Sequence, residues 1–344
     1  MNWYSAHFRP LPWRSDPTPY HVWVSEIMLQ QTRIEAVLPY YRRFVETLPT
    51  VEELAEAPAE LLLKLWEGLG YYSRVRNMQK AAQIIVDDFG GVIPSEYDLL
   101  LTLPGIGPYT AGAIASIAYD RPAAAVDGNV MRVLARLTAD DTDVLSNAGK
   151  KRFTSLAWAL VPASGAGRFN QAMMELGETV CVPNGVPHCA DCPLHGECEA
   201  HKRGIEQQLP VRIKKTNRRI ERRQVALVCV ETNPRSVLLH KRPREGLLAD
   251  LWELPNTLDA NPLMSLPVDL RDRCVTIDVL PEAKHLFSHI EWRLSGVVFC
   301  VDNIDPLPED FAVADLETLQ TSFPLPSAFR TYAKLLPELL DEEC

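Results

Sequence analysis

Residues 103–118 read LPGIGPYTAGAIASIA, and residues 126–137 read VDGNVMRVLARL. In the first stretch Leu103-Pro104 precedes two glycines one residue apart, Gly105 and Gly107, at the start of a helix. Such a turn lets the backbone come close to a phosphate, whose charge the free N–H groups and the helix dipole favour. An ordinary helix–helix turn is the other reading of the same residues. Asp127 follows just beyond that helix. It reads either as the N-cap of a helix over 128–137 or as a carboxylate held for chemistry.

Upstream, helix follows helix. Thr18-Pro19 has the pattern of an N-cap with Pro at the first helical position. Trp23, Ile27, Ile34 and Leu38 then recur at helical spacing. Further helices are expected near 51–67, 71–89, 108–118, 127–137, 147–161 and 168–178, punctuated by Gly90-Gly91, Pro104-Gly105 and Pro162. Glu26 sits in VWVSEIMLQQT among Val, Trp, Ile, Met and Leu, on a helix apolar on most faces. A carboxyl buried there is costly to ionise, so its pKa rises and it suits a general acid near neutral pH. A Glu hydrogen-bonded to nearby backbone is the alternative.

Four of the eight cysteines, Cys181, Cys189, Cys192 and Cys198, fall within eighteen residues, separated by seven, two and five residues. With no secretory signal in MNWYSAHFRPLPWRSD, the cluster reads as a metal site rather than a disulfide framework. Four thiolates can hold zinc or a [4Fe–4S] cluster. Zinc ribbons usually pair two CxxC knuckles, and here there is one. Cys229, Cys274, Cys300 and Cys344 are scattered and read as small core or surface residues.

Past residue 200 the character changes. Between Lys202 and Arg223 lie nine cations, among them Arg212, Lys214, Lys215, Arg218 and Arg219, against Glu206 and Glu221 alone. The run reads as a solvated linker or a binding stripe, although the whole chain carries a net charge of −10. QVALVCVE, SVLLHKR, CVTIDVL and HIEWRLSGVVFCVD are then strand-like, and PSAFRTYAKLLPELLDEE looks like a terminal helix. The 344 residues divide into an all-α domain over 1–200, a basic linker over 201–222 and a smaller α+β domain over 223–344. No apolar run approaches the roughly 18 residues of a membrane span. A cytoplasmic or nucleoid-associated monomer is the expectation.

Taken in order, LPWR, PYHVWVSEIMLQQT, LWEGLGYYSRVRN, LPGIGPYTAGAI, VDGNVMRVLAR, FNQAMMELG, the cysteine cluster and FSH at 287–289 resemble the endonuclease III superfamily, and within it the adenine DNA glycosylase (MutY) family. The resemblance covers nearly the whole chain. It implies a helix-hairpin-helix glycosylase domain with an iron–sulfur cluster, followed by a Nudix-like domain. It implies a double-stranded DNA partner carrying adenine opposite 8-oxoguanine or guanine. The hairpin at Leu103, Gly105 and Gly107 would grip backbone phosphate through a bound monovalent cation, and adenine would be flipped from the stack.

Residue by residue, Glu26 matches the acid that protonates N7 of adenine. Asp127 matches the carboxylate that stabilises the oxocarbenium-like sugar, and Tyr109 and Asn129 match residues that organise the site. Arg9, Leu11, Trp13 and Gln171 match positions lining the adenine pocket. Gln31 and Tyr71 match residues that wedge into the duplex. Phe287, Ser288 and His289 match the loop that recognises 8-oxoguanine. Bifunctional relatives carry lysine where this chain has Tyr109. A phenol cannot form a Schiff base, so a monofunctional enzyme is expected rather than a lyase or a silent mispair sensor. Two departures stand out. The first cysteine gap is seven residues (VPNGVPH) against a commoner six. KRPREGLLADLWELP lacks the acidic helix of a working Nudix hydrolase after it, so no pyrophosphohydrolase activity is expected.

Overall fold

The computed structural model describes residues 2–213, 218–304 and 306–341. The chain forms two compact units. The described residues of 1–57 and 76–215 make one, and those of 58–75 and 216–344 make the other. Lys214 and Lys215, expected in a basic linker, lie outside the described residues. The stretch read as linker includes regular structure among its described residues. A helix spans Glu199–Arg203 and the first strand starts at Arg219.

The first unit is helical. Pro19–Met28 starts at Thr18, whose hydroxyl accepts from the His21 N–H (3.2 Å), with Pro19 at the first position. All but two of its ten residues are buried, as its near-continuous apolar run demands. The single helix expected over 51–67 is two, Val51–Glu56 and Ala59–Leu65. The break falls at Ala57-Pro58, where proline disfavours a helical residue before it. Thr50 and Glu53 close the first of these with a reciprocal capping box.

After the hairpin, Pro108–Ala113 continues as a π-helical turn, Ile114–Ala118. Gly112 lies against the strand-like segment that leads to Asp127. A Cβ built there would stand 2.0 Å from the Ala124 carbonyl oxygen. Asn170, buried on the Ala166–Thr179 helix, pins the same segment. Its amide nitrogen donates to the Ala123 carbonyl (2.8 Å) and to Ser116 Oγ (2.8 Å), and its oxygen accepts from the Ala125 N–H (3.2 Å). These contacts fix where the next helix, Gly128–Thr138, begins.

The second unit is a seven-stranded sheet: β1 (Arg219–Val230), β2 (Ser236–Lys241), β3 (Trp252–Glu253), β4 (Asn256–Thr257), β5 (Val275–Leu286), β6 (Ile290–Val301) and β7 (Phe311–Ala314). Its order is β3-β2-β1-β6-β5, with β4 on β1 and β7 on β2; β1 and β6 run parallel and the other pairs antiparallel. Alternate residues of β1 enter two cores. Val225, Leu227 and Cys229 pack with Trp292, Phe329 and Tyr332, while Ala226, Val228 and Val230 pack with Phe299, Leu266 and Leu270. Both faces are covered, which is why QVALVCV reads as an unbroken apolar run.

After Glu253 the chain makes β4 and two short helices, Pro262–Ser265 and Val268–Arg271. The terminal helix is three pieces, Ser327–Phe329, Arg330–Ala333 and Leu336–Asp341. Pro337 at the start of the last piece cannot continue a preceding helix.

Residues 58–75, read from sequence as part of the helical domain, belong with the sheet. Lys64 Nζ donates to the Leu319 carbonyl (3.3 Å), and the Leu325 N–H donates to Glu67 Oε1 (2.9 Å). These contacts join residues some 255 apart in sequence, beyond the range of local periodicity. Among the described residues no helix is long and apolar enough to cross a membrane.

Gly112→Ala is expected to destabilise the helical unit by roughly 3 kcal/mol, because the added methyl meets backbone rather than a side chain able to move. Urea unfolding followed by circular dichroism measures this. A loss below about 0.5 kcal/mol contradicts the close approach.

Candidate active site

Glu26 enters the site from the buried Pro19–Met28 helix, Tyr109 from the helix after the hairpin, and Asp127 from the head of Gly128–Thr138. All three line one cavity of about 910 Å³ within the helical unit. The Tyr109 hydroxyl donates to Glu26 Oε2 and also lies 3.4 Å from the sulfur of Met174. Burial is the main reason the Glu26 carboxyl is pushed up to about 7. The nearby Asp127 charge adds to the rise, while the Tyr109 hydrogen bond and Arg14 oppose it. The Tyr109 phenol is pushed well above its ordinary value by burial and by both carboxylates. Tyr109 is therefore a neutral donor at any pH at which the fold operates.

Asp127 both caps its helix and lines the cavity. One oxygen accepts from the Val130 N–H (2.7 Å) and caps the helix; the other accepts from Asn129 Nδ2 (2.7 Å). Burial raises its pKa, and these two donors, with Arg132, pull it back. The buried Arg132 holds Asn129 in turn. Its guanidinium donates to Asn129 Oδ1 (2.7 Å), to the Gly177 carbonyl (2.6 Å) and to the Cys181 carbonyl (2.7 Å). Gly177 permits this packing, since a Cβ there would stand 2.6 Å from that of Asn129.

The N-terminal segment supplies another wall. Leu11 and Trp13 are buried and line the cavity, as does Gln171, whose Oε1 accepts from the Tyr4 hydroxyl (3.1 Å). Arg9 is not among the lining residues. Its guanidinium is held by Glu175 (2.6 Å) and Glu178 (2.6 Å). The fully buried Glu175 carboxylate also binds Arg14 (2.7 Å), and Arg14 does line the cavity. Arg14, Ser25, Met174 and Glu178 are lining residues that sequence reasoning missed. Arg14 was within reach, as the last letter of LPWR.

Gln31 lines the same cavity, as do Gly105 and Gly107. The two glycines are exposed, whereas the Leu103 side chain is buried. Gly105 has φ +78 and packs on Asn77, so the hairpin turns where only glycine is comfortable. Gln31 (φ 60) and Tyr71 (φ 50) are two of the six non-glycine residues with positive φ among those described. Strain of this kind gathers at ligand contacts.

In the sheet unit, exposed Tyr71 shares a hydrogen bond with Ser288 Oγ (2.9 Å). Arg74 braces the loop before it, donating to the Leu69 (3.0 Å) and Gly70 (3.1 Å) carbonyls. Phe287 packs edge-on to Trp292 (4.9 Å) and His285 (4.6 Å), leaving Ser288 and His289 exposed. Of the linker cations singled out, Arg218 donates to the Phe287 carbonyl (3.0 Å) and Arg219 pairs with Glu221.

The four clustered cysteines line one small cavity with Arg136, His195, His201 and Glu206. Arg136 donates to Cys181 Sγ (3.2 Å) and to the Val182 carbonyl (3.0 Å). Four sulfurs around one cavity, with an arginine against one of them, fit a group held by thiolates. One further donor set, Cys189 with His201 and Glu206, brings its ligand atoms within 4.8 Å of one another.

Residues 24–162 match the HhH-GPD superfamily of base excision DNA repair proteins, and residues 225–335 match the NUDIX domain. The chain is 38% identical to the adenine DNA glycosylase of Mus musculus, over 85% of this chain and 68% of that protein. It is 33% identical to that of Homo sapiens (96% and 73% covered) and 32% identical to that of Buchnera aphidicola (88% and 86% covered). Among solved structures, a thermostable thymine-DNA glycosylase matches with a TM-score of 0.53 and 27% identity, covering 59% of this chain and 93% of that one. With two carboxyl groups and a phenol converging in one cavity of a helix-hairpin-helix unit, and a Nudix-like sheet following it, the chain belongs to the adenine DNA glycosylase family.

Proposed function

We propose that this chain hydrolyses the N-glycosidic bond of adenine standing opposite 8-oxoguanine or guanine in duplex DNA, and leaves an abasic site. The observation that carries the reading is the shared cavity: Glu26, Tyr109 and Asp127 line it together, and Glu26 keeps its proton to about 7. Adenine leaves readily only when its imidazole ring accepts a proton, and a carboxylic acid enclosed by apolar helix is suited to give one. Glu26 donates to N7 of the flipped base, and Tyr109 holds the carboxyl in place for it.

Asp127, ionised, faces the positive charge that grows on the sugar as the bond breaks. The Val130 N–H and Asn129 amide keep it ionised and oriented. Leu11, Trp13 and Gln171 shape the base pocket. Arg9 acts on it through Glu175 and Glu178. Gln31 and Tyr71 wedge into the duplex, and Phe287, Ser288 and His289 read the opposing 8-oxoguanine. The exposed hairpin glycines take backbone phosphate, and their loop would hold a monovalent cation that helps neutralise it.

Tyr109 offers no amine, so the reaction stops at the abasic site without strand cleavage. Cys181, Cys189, Cys192 and Cys198 would hold a [4Fe–4S] cluster, which would serve as a structural cross-link of the 181–198 loop, the loop whose Cys181 carbonyl receives Arg132.

Glu26→Gln is expected to lower single-turnover adenine release by at least about 100-fold, measured on a labelled duplex with adenine opposite 8-oxoguanine. Full activity in that variant removes the assignment. In the wild type the rate declines as pH rises through about 7, where Glu26 loses its proton. It also declines on the acid side as Asp127 takes one up; a rate unchanged from pH 6 to 9 contradicts the acid role. Purified protein is expected to carry about four irons per chain with broad visible absorbance, and Cys198→Ser to lose both. Zinc in place of iron overturns the cluster assignment.

A further inference from the structure

The β5–β6 hairpin ends in a three-residue tip, Phe287 to His289, after the last register pair Leu286 and Glu291. The Phe287 N–H donates back to the Ile290 carbonyl (2.8 Å) and closes the turn. Each residue of the tip is then held from outside the hairpin by a different group. The Tyr71 hydroxyl meets Ser288 Oγ (2.9 Å), the Arg219 N–H donates to the His289 carbonyl (3.1 Å), and Arg218 Nε donates to the Phe287 carbonyl (3.0 Å). The Arg219 contact is a backbone bond set by the parallel pairing of β1 with β6, which starts at Arg219 opposite Ile290. The Arg219 side chain is committed to Glu221. The Arg218 contact is different in kind. It comes from a side chain one residue before β1, at the end of the basic connector.

We propose that Arg218 is a positioning residue for oxidised-base recognition, its guanidinium fixing the hairpin tip that presents Ser288 and His289. This rests on the assignment of 8-oxoguanine reading to residues 287–289. The physical case is one of conformational freedom. Ser288 and His289 are exposed side chains on a short turn, and a base that must be told from guanine by one added oxygen needs their polar atoms held before it arrives. The Phe287 ring anchors one side of the turn in the core through Trp292. Its carbonyl would otherwise be free to rotate with the peptide that carries Ser288. A donor on that carbonyl fixes the peptide plane, and with it the direction in which the Ser288 N–H and side chain leave the turn. Ionic attraction to DNA is the other use of an exposed arginine, and it has a distinct signature.

The test is binding by the full chain to two duplexes, one with 8-oxoguanine and one with guanine opposite a non-excisable adenine analogue, across a salt series, for wild type, Arg218→Ala and Arg218→Lys. Arg218→Ala is expected to weaken binding of the 8-oxoguanine duplex by about five- to tenfold, the worth of one hydrogen bond to a carbonyl. Binding of the guanine duplex is expected to change less than about twofold, with an unaltered salt slope. Arg218→Lys, which retains a donor, recovers part of the preference. Hydrogen exchange on free protein is expected to quicken at the Phe287 and Arg219 amides in Arg218→Ala. Equal weakening of both duplexes, with a salt slope lowered by about 0.9, makes Arg218 a phosphate contact and overturns the proposal. Unchanged preference in Arg218→Ala overturns it too, while leaving 8-oxoguanine recognition standing. If wild type does not prefer 8-oxoguanine, the recognition assignment itself fails, and unchanged exchange at Phe287 then overturns the tether as well.

Discussion

A carboxyl group enclosed by apolar helix is the constraint on which the catalytic unit is arranged. Ionised Glu26 would need hydration that the Pro19–Met28 helix denies it, and its hydrogen-bond partner among the described residues is the Tyr109 hydroxyl. The Asp127 charge nearby pushes in the same direction as burial. The two acids are thereby held in different surroundings, although burial raises both. Glu26 has apolar surroundings and a single neutral donor. Asp127 has a helix N-terminus, a backbone N–H, the Asn129 amide and the field of Arg132. Two carboxyl groups in one cavity can divide proton donation from charge stabilisation only if their environments differ in this way, and the difference is built from secondary-structure position.

Much of this was legible in the chain itself. The acid at 26 declares its burial through its apolar neighbours. Asp127 declares a helix start through the apolar periodicity that follows it, and the fold makes the cap and the pocket wall one group. The hairpin, the cysteine cluster and the apolar run of β1 were likewise visible, because each depends on residues close in sequence. What was hidden depends on distance along the chain. Residues 58–75 read as part of the helical domain and belong with the sheet, since Lys64, Glu67 and Tyr71 find their partners at Leu319, Leu325 and Ser288. Strands β3, β4 and β7 are two to four residues long, too short for a period to register. Arg9 resembled a pocket residue, but Glu175, 166 positions away, takes its guanidinium.

A chain of hydrogen bonds joins the cysteine loop to the acid site. Arg132 receives its orientation from the Cys181 and Gly177 carbonyls and passes it to Asn129, which passes it to Asp127. Arg136, one helical turn further on, holds Cys181 Sγ and the Val182 and Leu209 carbonyls. A guanidinium has five donors in a fixed plane, so two arginines a turn apart can satisfy carbonyls from several irregular segments at once. That accounts for arginine at positions where a helix would more simply bury leucine.

Preorganisation is unevenly distributed, and the unevenness follows the roles proposed for these residues. Glu26 sits within a regular helix and Asp127 at the N-cap of another, where Asn170 and Gly112 pin the segment leading to it. The residues assigned to meet the duplex, Gln31 and Tyr71, instead occupy positive-φ positions that cost a non-glycine residue of order 1–3 kcal/mol. Nothing in a hydrophobic core requires that cost, and the Tyr71 loop is braced against it by the Arg74 bonds to the Leu69 and Gly70 carbonyls. A group that must enter a base stack gains from being held out from its own fold, since relaxing into an ordinary backbone conformation would withdraw it. A proton donor gains from the reverse, because its pKa is set by how completely water is kept away.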